Sequence, residues 1–166
     1  MRFVSPISAP IIAVVFFFML SVMLIDRAYA GDPTGIWLIE DRDAEVRVAE
    51  CGKALCVTVV WIQKPNDPDS GKPWVDKNNA DASNRSRPLL GLTIINDMTP
   101  SPSPNKWEGH IYSIMLGKIF DGSLTLFSPT KIKIEGCMMV LLCQSEIWTK
   151  QIDGGNAARS GNTTTR

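Results

Sequence analysis

The sequence predicts an all-β protein, built as an antiparallel barrel or sandwich of about eight short strands. Three observations support this fold class: repeated runs of β-branched and aromatic residues, alternation of apolar and polar positions within them, and turn residues between them. A closed barrel is the favoured form, because closure removes the sheet edges through which small β-proteins would pair with one another.

Alternation is clearest in the run 131–136, which reads KIKIEG. Ile132 and Ile134 fall on one face of such a strand, whereas Lys131, Lys133 and Glu135 fall on the other. A period of two with one polar face is typical of an antiparallel sheet. The predicted strands are 35–40, 44–51, 55–63, 92–95, 106–113, 118–126, 131–138 and 142–150.

Two segments interrupt this pattern. Residues 64–91 form a long polar connection, and residues 99–105 (TPSPSPN) are predicted to be a proline-rich hairpin loop. The residues after Lys150 are polar and lack apolar periodicity, so we predict that 151–166 is a disordered polar tail.

The first 30 residues have the features of a signal peptide. Arg2 precedes an apolar run of 15 residues, 11–25, and Ala28-Tyr29-Ala30 fits the small-x-small cleavage pattern. The run is shorter than the roughly 20 residues that a membrane-spanning helix needs, which disfavours an uncleaved anchor. We therefore predict cleavage after Ala30, a periplasmic or secreted protein without a stable membrane anchor, and one domain at 31–150.

Charge composition argues against a nucleic-acid partner. Of the 17 basic and 17 acidic residues, Arg2, Arg27 and Asp26 lie in the first 30, which leaves 15 basic and 16 acidic residues in the mature chain. A nearly neutral chain without a basic run lacks the electrostatic footprint of a nucleic-acid-binding protein.

Four cysteines lie in the mature chain, and an even number in an exported protein predicts disulfides. Four cysteines allow three pairings. We favour Cys51 with Cys56 and Cys137 with Cys143, because each pair flanks a short turn between two predicted strands. A zinc site is the less favoured alternative, because it would need tighter ligand spacing.

A cluster of Asp, Asn and Arg residues occupies 75–91 (VDKNNADASNRSRPLLG). As an EF-hand calcium loop starting at Asp76, it fails at positions five, six and twelve, which hold Ala80, Asp81 and Arg87. A structural network is favoured, since Asx side chains bond backbone groups in loops and an arginine can bridge Asp76 or Asp81.

Catalytic signals are weak in this sequence. Asp76 and Asp81 could act as paired carboxylates, but the sequence specifies no partner for them. The single histidine, His110, is predicted to face solvent from a strand, and the mature chain has no Gly-x-Ser-x-Gly motif. We expect no catalytic residue, no metal and no cofactor.

Several motifs in order resemble domain of unknown function family 2147, a group of small exported bacterial proteins. They are GIW at 35–37, CGKALC at 51–56 followed by Trp61, Asp76-x-x-Asn79, Arg85-x-Arg87-Pro88-Leu89-x-Gly91, WEGHIY at 107–112, and Trp148-Thr149. The resemblance covers roughly 35–150 and implies a lipocalin-like β-barrel without an assigned reaction. One departure is Lys150, because the family closes with arginine there, and lysine lacks its planar stacking.

The resemblance and the residue pattern together define a set of candidate positions. Candidates for ligand contact or for clamping the loop are Asp76, Asn79, Asp81, Arg85, Arg87, Trp61, Trp107 and Tyr112. The favoured hypothesis is a non-enzymatic protein that holds a small, partly apolar ligand in the barrel. The alternative is a protein-interaction or inhibitor module that binds an envelope protein through the 64–91 loop. An envelope enzyme acting through Asp76, Asp81 and Arg87 ranks last.

The signal-peptide prediction has a direct test. N-terminal sequencing of the exported protein should begin at Gly31, because signal peptidase reads Ala28 and Ala30. A chain that keeps Met1 and stays in the inner membrane would contradict it.

Overall fold

The computed structural model describes residues 31–138 and 142–151, and within them the chain folds into eight antiparallel strands. The predicted signal peptide and residues 152–166 of the predicted tail lie outside the described residues. The strands are β1 (Gly35–Leu38), β2 (Ala44–Cys51), β3 (Ala54–Ile62), β4 (Thr93–Pro100), β5 (Lys106–Ser113), β6 (Lys118–Ser128), β7 (Lys131–Cys137) and β8 (Cys143–Gln151). One short 3-10 helix, Ala82–Asn84, lies in the long connection.

Each strand pairs with the next along the chain, and β8 pairs with β1 to close the barrel. The predicted fold class, an all-β antiparallel barrel of about eight strands, is confirmed. Ring closure places Ile36 opposite Gln151, so the first residue predicted for the tail belongs to the last strand.

The inward face of the barrel carries the hydrophobic core. Ile132 is opposite Trp148 and Ile134 is opposite Leu124, and all four side chains are buried. The predicted alternation in β7 is therefore correct, since Lys133 and Glu135 face outward and pair with each other at 3.0 Å. The other strands also contribute buried side chains to this core, except β5, whose Trp107 and Ile111 are partly buried and pack against it.

The lower end of the barrel is defined here by the β2–β3, β4–β5 and β6–β7 turns, and residues 31–34 lie against it. The Trp37 indole Nε1 donates to the Pro33 carbonyl at 2.9 Å, and the Gly31 backbone N donates to Asn105 Oδ1 at 2.9 Å. Lys150 Nζ lies 5.4 Å from the centroid of the Trp37 ring. This cation–π contact is what the lysine provides in place of a stacked guanidinium.

The upper end is defined by the β1–β2, β5–β6 and β7–β8 turns together with the long connection from β3 to β4. Exposed apolar residues gather in two of those turns. They are Met115 and Leu116 between β5 and β6, and Met138 and Leu142 between β7 and β8. The two ends of the barrel therefore differ in chemistry.

Strand β4 is longer than the predicted 92–95, because it continues to Pro100. The pairing of β3 with β4 changes register between Leu55 and Val57. Such an irregularity breaks the alternation of apolar and polar residues by which a continuous β4 would be recognised in the sequence. Thr99 and Pro100 pair with Glu108 and Trp107, so the proline-rich loop begins two residues later than predicted.

Both predicted disulfides form, Cys51 with Cys56 and Cys137 with Cys143. The first closes the β2–β3 hairpin at the lower end, where Gly52 has a φ of 72°. The second joins the last residue of β7 to the first of β8 at the upper end. Each links neighbouring strands: Cys137 and Cys143 are register partners, whereas Cys51 and Cys56 lie diagonally across the hairpin, with Cys51 opposite Ala54.

No helix within 31–138 and 142–151 is long and apolar enough to cross a membrane.

Candidate functional site: a buried carboxylate at the β4–β5 seam

The long connection from β3 to β4 follows the upper part of the barrel and is held by its own backbone bonds. Two isolated bridges, Asn66 to Pro73 and Val75 to Pro88, fold it back on itself. The Asp76 backbone N donates to the Arg87 carbonyl at 3.0 Å, so the two residues are neighbours before their side chains are considered.

Asp76 has an exposed fraction of 0%, and its carboxylate is the centre of the cluster. Arg87 donates to Oδ2 through Nε at 2.9 Å and through Nη2 at 2.8 Å. Asn79 Nδ2 donates to the same oxygen at 2.7 Å. The Tyr112 hydroxyl donates to Oδ1 at 2.6 Å and to Oδ2 at 2.8 Å. A buried carboxylate needs such partners, because an unpaired one is strongly disfavoured.

These partners decide the charge of the cluster. Burial alone would raise the pKa of the Asp76 carboxyl, but the hydrogen bonds from Tyr112, Asn79 and Arg87 and the arginine charge hold it below its usual value. Burial, and then the bond to Asp76, raises the pKa of the Tyr112 phenol. The cluster is thus an ionised carboxylate with a neutral phenol and a guanidinium around it.

The other two candidate residues of the loop, Arg85 and Asp81, do not bond the Asp76 carboxylate. Arg85 Nε donates to the Asn79 carbonyl at 2.8 Å and does not contact Asp76. Asp81 caps the 3-10 helix by accepting from the Ser83 backbone N at 2.9 Å. The structure therefore brings Asp76, Asn79, Arg87 and Tyr112 together and leaves Asp81 on the exposed side of the loop.

A second set of contacts joins the connection to the β5–β6 turn. Asn78 Nδ2 donates to the Met115 carbonyl at 3.1 Å, and the Ala80 backbone N donates to the Gly117 carbonyl at 3.1 Å. Gly117 has a φ of 64°, and a Cβ there would lie 1.7 Å from the Asn78 carbonyl oxygen. Only glycine allows this close approach.

The cluster lies beside a weak seam in the barrel. Strands β4 and β5 pair through two register positions, Thr99 opposite Glu108 and Pro100 opposite Trp107. Above that point, the Asp97 carboxylate accepts from the His110 backbone N at 2.9 Å and contacts the His110 ring Nδ1 at 2.5 Å. A Cβ on Gly109 would lie 2.7 Å from the Asp97 carbonyl oxygen, so glycine lets the two strands approach here.

Sequence reasoning missed Asp97 and Gly117 as parts of this arrangement, and it placed Asn78 in the loop cluster without identifying its partner. Gly117 could have been found from the sequence, because a glycine between two predicted strands indicates a turn with positive φ. Asp97 gave no local signal, because its partner His110 is 13 residues away and its role arises from strand pairing.

The two candidate tryptophans lie outside the cluster. Trp107 is on the inward face and packs against the core, whereas Trp61 is partly exposed near the upper end of β3. The side-chain hydrogen bonds of the Asp76 carboxylate come from Arg87, Asn79 and Tyr112.

A metal site is not supported by the donor set. Within the described ranges 31–138 and 142–151, no group of three or more His, Cys, Asp or Glu side chains could hold a metal ion. The Asp76 oxygens are already used by protein donors, and its neighbour Arg87 would repel a cation.

Residues 35–150 match a protein family whose description is "Uncharacterized protein conserved in bacteria (DUF2147)". The chain belongs to this family. The DUF2147 match covers β1 to β7 and all of β8 except Gln151, and it contains the Asp76, Arg87 and Tyr112 cluster.

The fold is also similar to that of a solved structure, while no curated protein matches the chain. The structure is described as "Protein HP1028 from the human pathogen Helicobacter pylori belongs to the lipocalin family". The TM-score is 0.64 at 15% sequence identity, over 82% of this chain and 94% of that one. At this identity the likeness shows the fold alone, which makes this DUF2147 domain a lipocalin-like barrel.

The contacts of Asp76 predict the behaviour of loop variants. Arg87→Ala should lower the free energy of unfolding by about 1–3 kcal/mol, because it removes two donors from a fully buried carboxylate. Asp76→Asn should have a similar effect, and the double variant should cost less than the sum of the two. Arg85→Ala is the matched control, since Arg85 bonds only a backbone carbonyl. Urea unfolding measures all four, and additive effects, or a control as damaging as Arg87→Ala, would contradict a clamp.

The Asp97–His110 pair predicts a pH dependence at the seam. The hydrogen bond that the His110 ring donates to the Asp97 carboxylate, and then the charge of Asp97, raise the pKa of His110 above 6.5, with Asp121 adding a weaker contact at 3.6 Å. A raised pKa means that the pair stabilises the fold fully below pH 6.5 and loses that contribution as pH rises through the folded pKa.

Because the chain has one histidine, an NMR titration of its imidazole reports this pair alone. Asp97→Asn should return the pKa towards 6.5. A wild-type pKa at or below 6.5, or one that Asp97→Asn leaves unchanged, would refute the pairing.

Proposed function

We propose that this protein is an exported, non-enzymatic binding protein that takes a small, partly apolar ligand at the upper end of its barrel. The two disulfides and the bacterial family indicate an exported protein. Eight-stranded lipocalin-like barrels can hold one small ligand. The ligand, its position and the lack of a reaction are the parts that we propose.

The lower part of the barrel leaves little room for a ligand. Trp37 and Trp148 are buried there, and Leu124 and Ile132 pack in the same core. Side chains of this size fill the interior of an eight-stranded barrel. A ligand would therefore bind near the upper opening and not deep inside.

The observation that carries the proposal is the gathering of apolar side chains at that opening. Ile39, Ile62 and Ile111 lie at the upper ends of their strands, are partly buried and pack on top of the core. Around them the exposed rim contains Met115, Leu116, Met138 and Leu142, and Met115 is 85% exposed. Clustered exposed apolar side chains are typical of binding surfaces, because monomeric soluble proteins rarely expose large apolar patches.

One polar group lies on the inward face near this opening. Glu146 is opposite Ile134 in the register and accepts a hydrogen bond from the Trp148 indole Nε1 at 3.0 Å. Its second oxygen is free for a donor on a ligand. We therefore propose an apolar body with a polar head that donates hydrogen bonds.

Titration with N-phenyl-1-naphthylamine, a neutral apolar fluorophore with one N–H donor, tests this function. We expect a saturable rise in fluorescence with one site per chain. Met115→Ser and Leu142→Ser should each weaken binding by roughly tenfold, if about 1.4 kcal/mol of apolar contact is lost.

Phe127→Ser is the matched control, because Phe127 is an exposed apolar residue on the outer wall towards the lower end of β6. A flat titration, or equal losses with Phe127→Ser, would argue against a ligand at the upper opening.

A second function is favoured by the ordered connection and the filled core. Residues 64–91 are held in place by the Asp76 cluster and expose Leu90, which is 55% accessible. A rigid exposed loop on a filled barrel would suit an envelope-protein interaction or inhibition. If the fluorophore does not bind, a photocrosslinker at position 90 should join one envelope protein, and the same crosslinker at position 53 should not. Absence of a position-dependent product would remove this candidate.

A further inference from the structure

A groove with a volume of about 490 Å³ lies on the outer wall of the barrel, across β5, β6 and β7. The backbones of Gly109 and Gly122, which are register partners, form part of its lining. It is separate from the upper opening, because its side chains point outward from the strands whose inward residues form the core. Its volume is within the range of small-molecule pockets, about 300–1,000 Å³.

Ser123 is the buried polar residue of this groove. It is 7% exposed, lines the groove, and its hydroxyl makes no hydrogen bond with any residue in the described part of the chain. Its oxygen is accessible from the groove, because no fully shielded side-chain oxygen among the described residues lacks a hydrogen-bond partner. The hydroxyl can accept two hydrogen bonds and donate one. A mostly buried serine whose hydroxyl has no protein partner and opens into a groove offers that hydroxyl to a ligand.

Carboxylates surround this hydroxyl. Glu108 and Glu135 are the two register partners of Ser123, one on each side, and Asp121 lies two residues away on the same face of β6. Lysines compensate the two glutamates, Lys106 at 2.6 Å from Glu108 and Lys133 at 3.0 Å from Glu135.

Asp121 differs from the glutamates because its contact is looser. Its side chain is 90% exposed, and its ion pair is with His110 Nε2 at 3.6 Å. Hydrogen-bond acceptors therefore outnumber free donors in the groove, and the uncompensated charge is negative. Such a site selects a ligand that carries a positive charge and N–H donors.

The spacing of the acceptors favours an organic cation over a metal ion. Register partners in a sheet have Cβ atoms roughly 5 Å apart, so these carboxylates surround a volume larger than one ion. Within the described residues, no metal-binding group of His, Cys, Asp or Glu exists. We propose that the outer groove is a second binding site, which takes a primary ammonium on Asp121, Ser123 and Glu135. Three acceptors match the three N–H donors of such a group.

Three small ligands of similar shape, one cationic, one neutral and one anionic, test this site in the full protein. We expect n-butylamine to shift the backbone amide NMR signals of Gly109, Gly122 and Ser123 saturably, whereas 1-butanol and butyrate leave them unchanged. Equal shifts with butylamine and butyrate, or no saturable shift with butylamine, would overturn the proposal.

Variants separate a built site from a general attraction between charges. Asp121→Asn and Ser123→Ala should each weaken butylamine binding by roughly tenfold, because the first removes the negative charge that pairs with the ammonium and the second removes a hydroxyl acceptor. Glu50→Gln is the control, since Glu50 is an exposed carboxylate of β2 outside the groove.

Ser123→Ala also carries a second readout. Replacing a hydroxyl that has no protein partner should leave the melting temperature nearly unchanged, so lost binding would not reflect unfolding. If Ser123→Ala binds butylamine like the wild type, or if Glu50→Gln weakens binding equally, the site is not the one proposed.

Discussion

The ionised carboxylate of Asp76 is the interaction on which the upper half of the molecule depends. It has no access to solvent, and it receives hydrogen bonds from Asn79 and Arg87 in the connection and from Tyr112 on β5. One buried charge thus joins a long irregular segment to the barrel wall. It does so beside the β4–β5 seam, where Asp97 bonds the His110 backbone N above the last paired residues. A carboxylate suits this place, because it accepts several donors at once from different directions.

The sequence was informative where a single strand shows its own pattern. Alternation in β7 gave the inward Ile132 and Ile134, and cysteine spacing beside short turns gave both disulfides. The Asp–Asn–Arg cluster was also visible, together with the two arginines of which one would reach the carboxylate. Choosing Arg87 over Arg85 needed the fold, since the Val75–Pro88 bridge brings residue 87 beside residue 76.

The parts that sequence reasoning missed depend on pairing between distant segments. The predicted β4 stopped at residue 95, five residues before the observed strand ends, because a register change breaks its alternation. Tyr112 became a candidate only because it belongs to the WEGHIY motif. Nothing near it in the chain shows that its hydroxyl bonds a carboxylate 36 residues earlier. The groove around Ser123 is likewise invisible along the chain, because its carboxylates come from three strands and become neighbours only through the sheet register.

The closure of the ring between β1 and β8 has a consequence for how the chain acquires its structure. Ile36 finds its partner in Gln151, at the opposite end of the domain, so the first strand stays half-paired until the last one arrives. Joining such distant segments loses much chain entropy before any contact compensates, which makes folding slow compared with that of proteins built from local contacts. A chain synthesised from its N-terminus therefore cannot complete the barrel early.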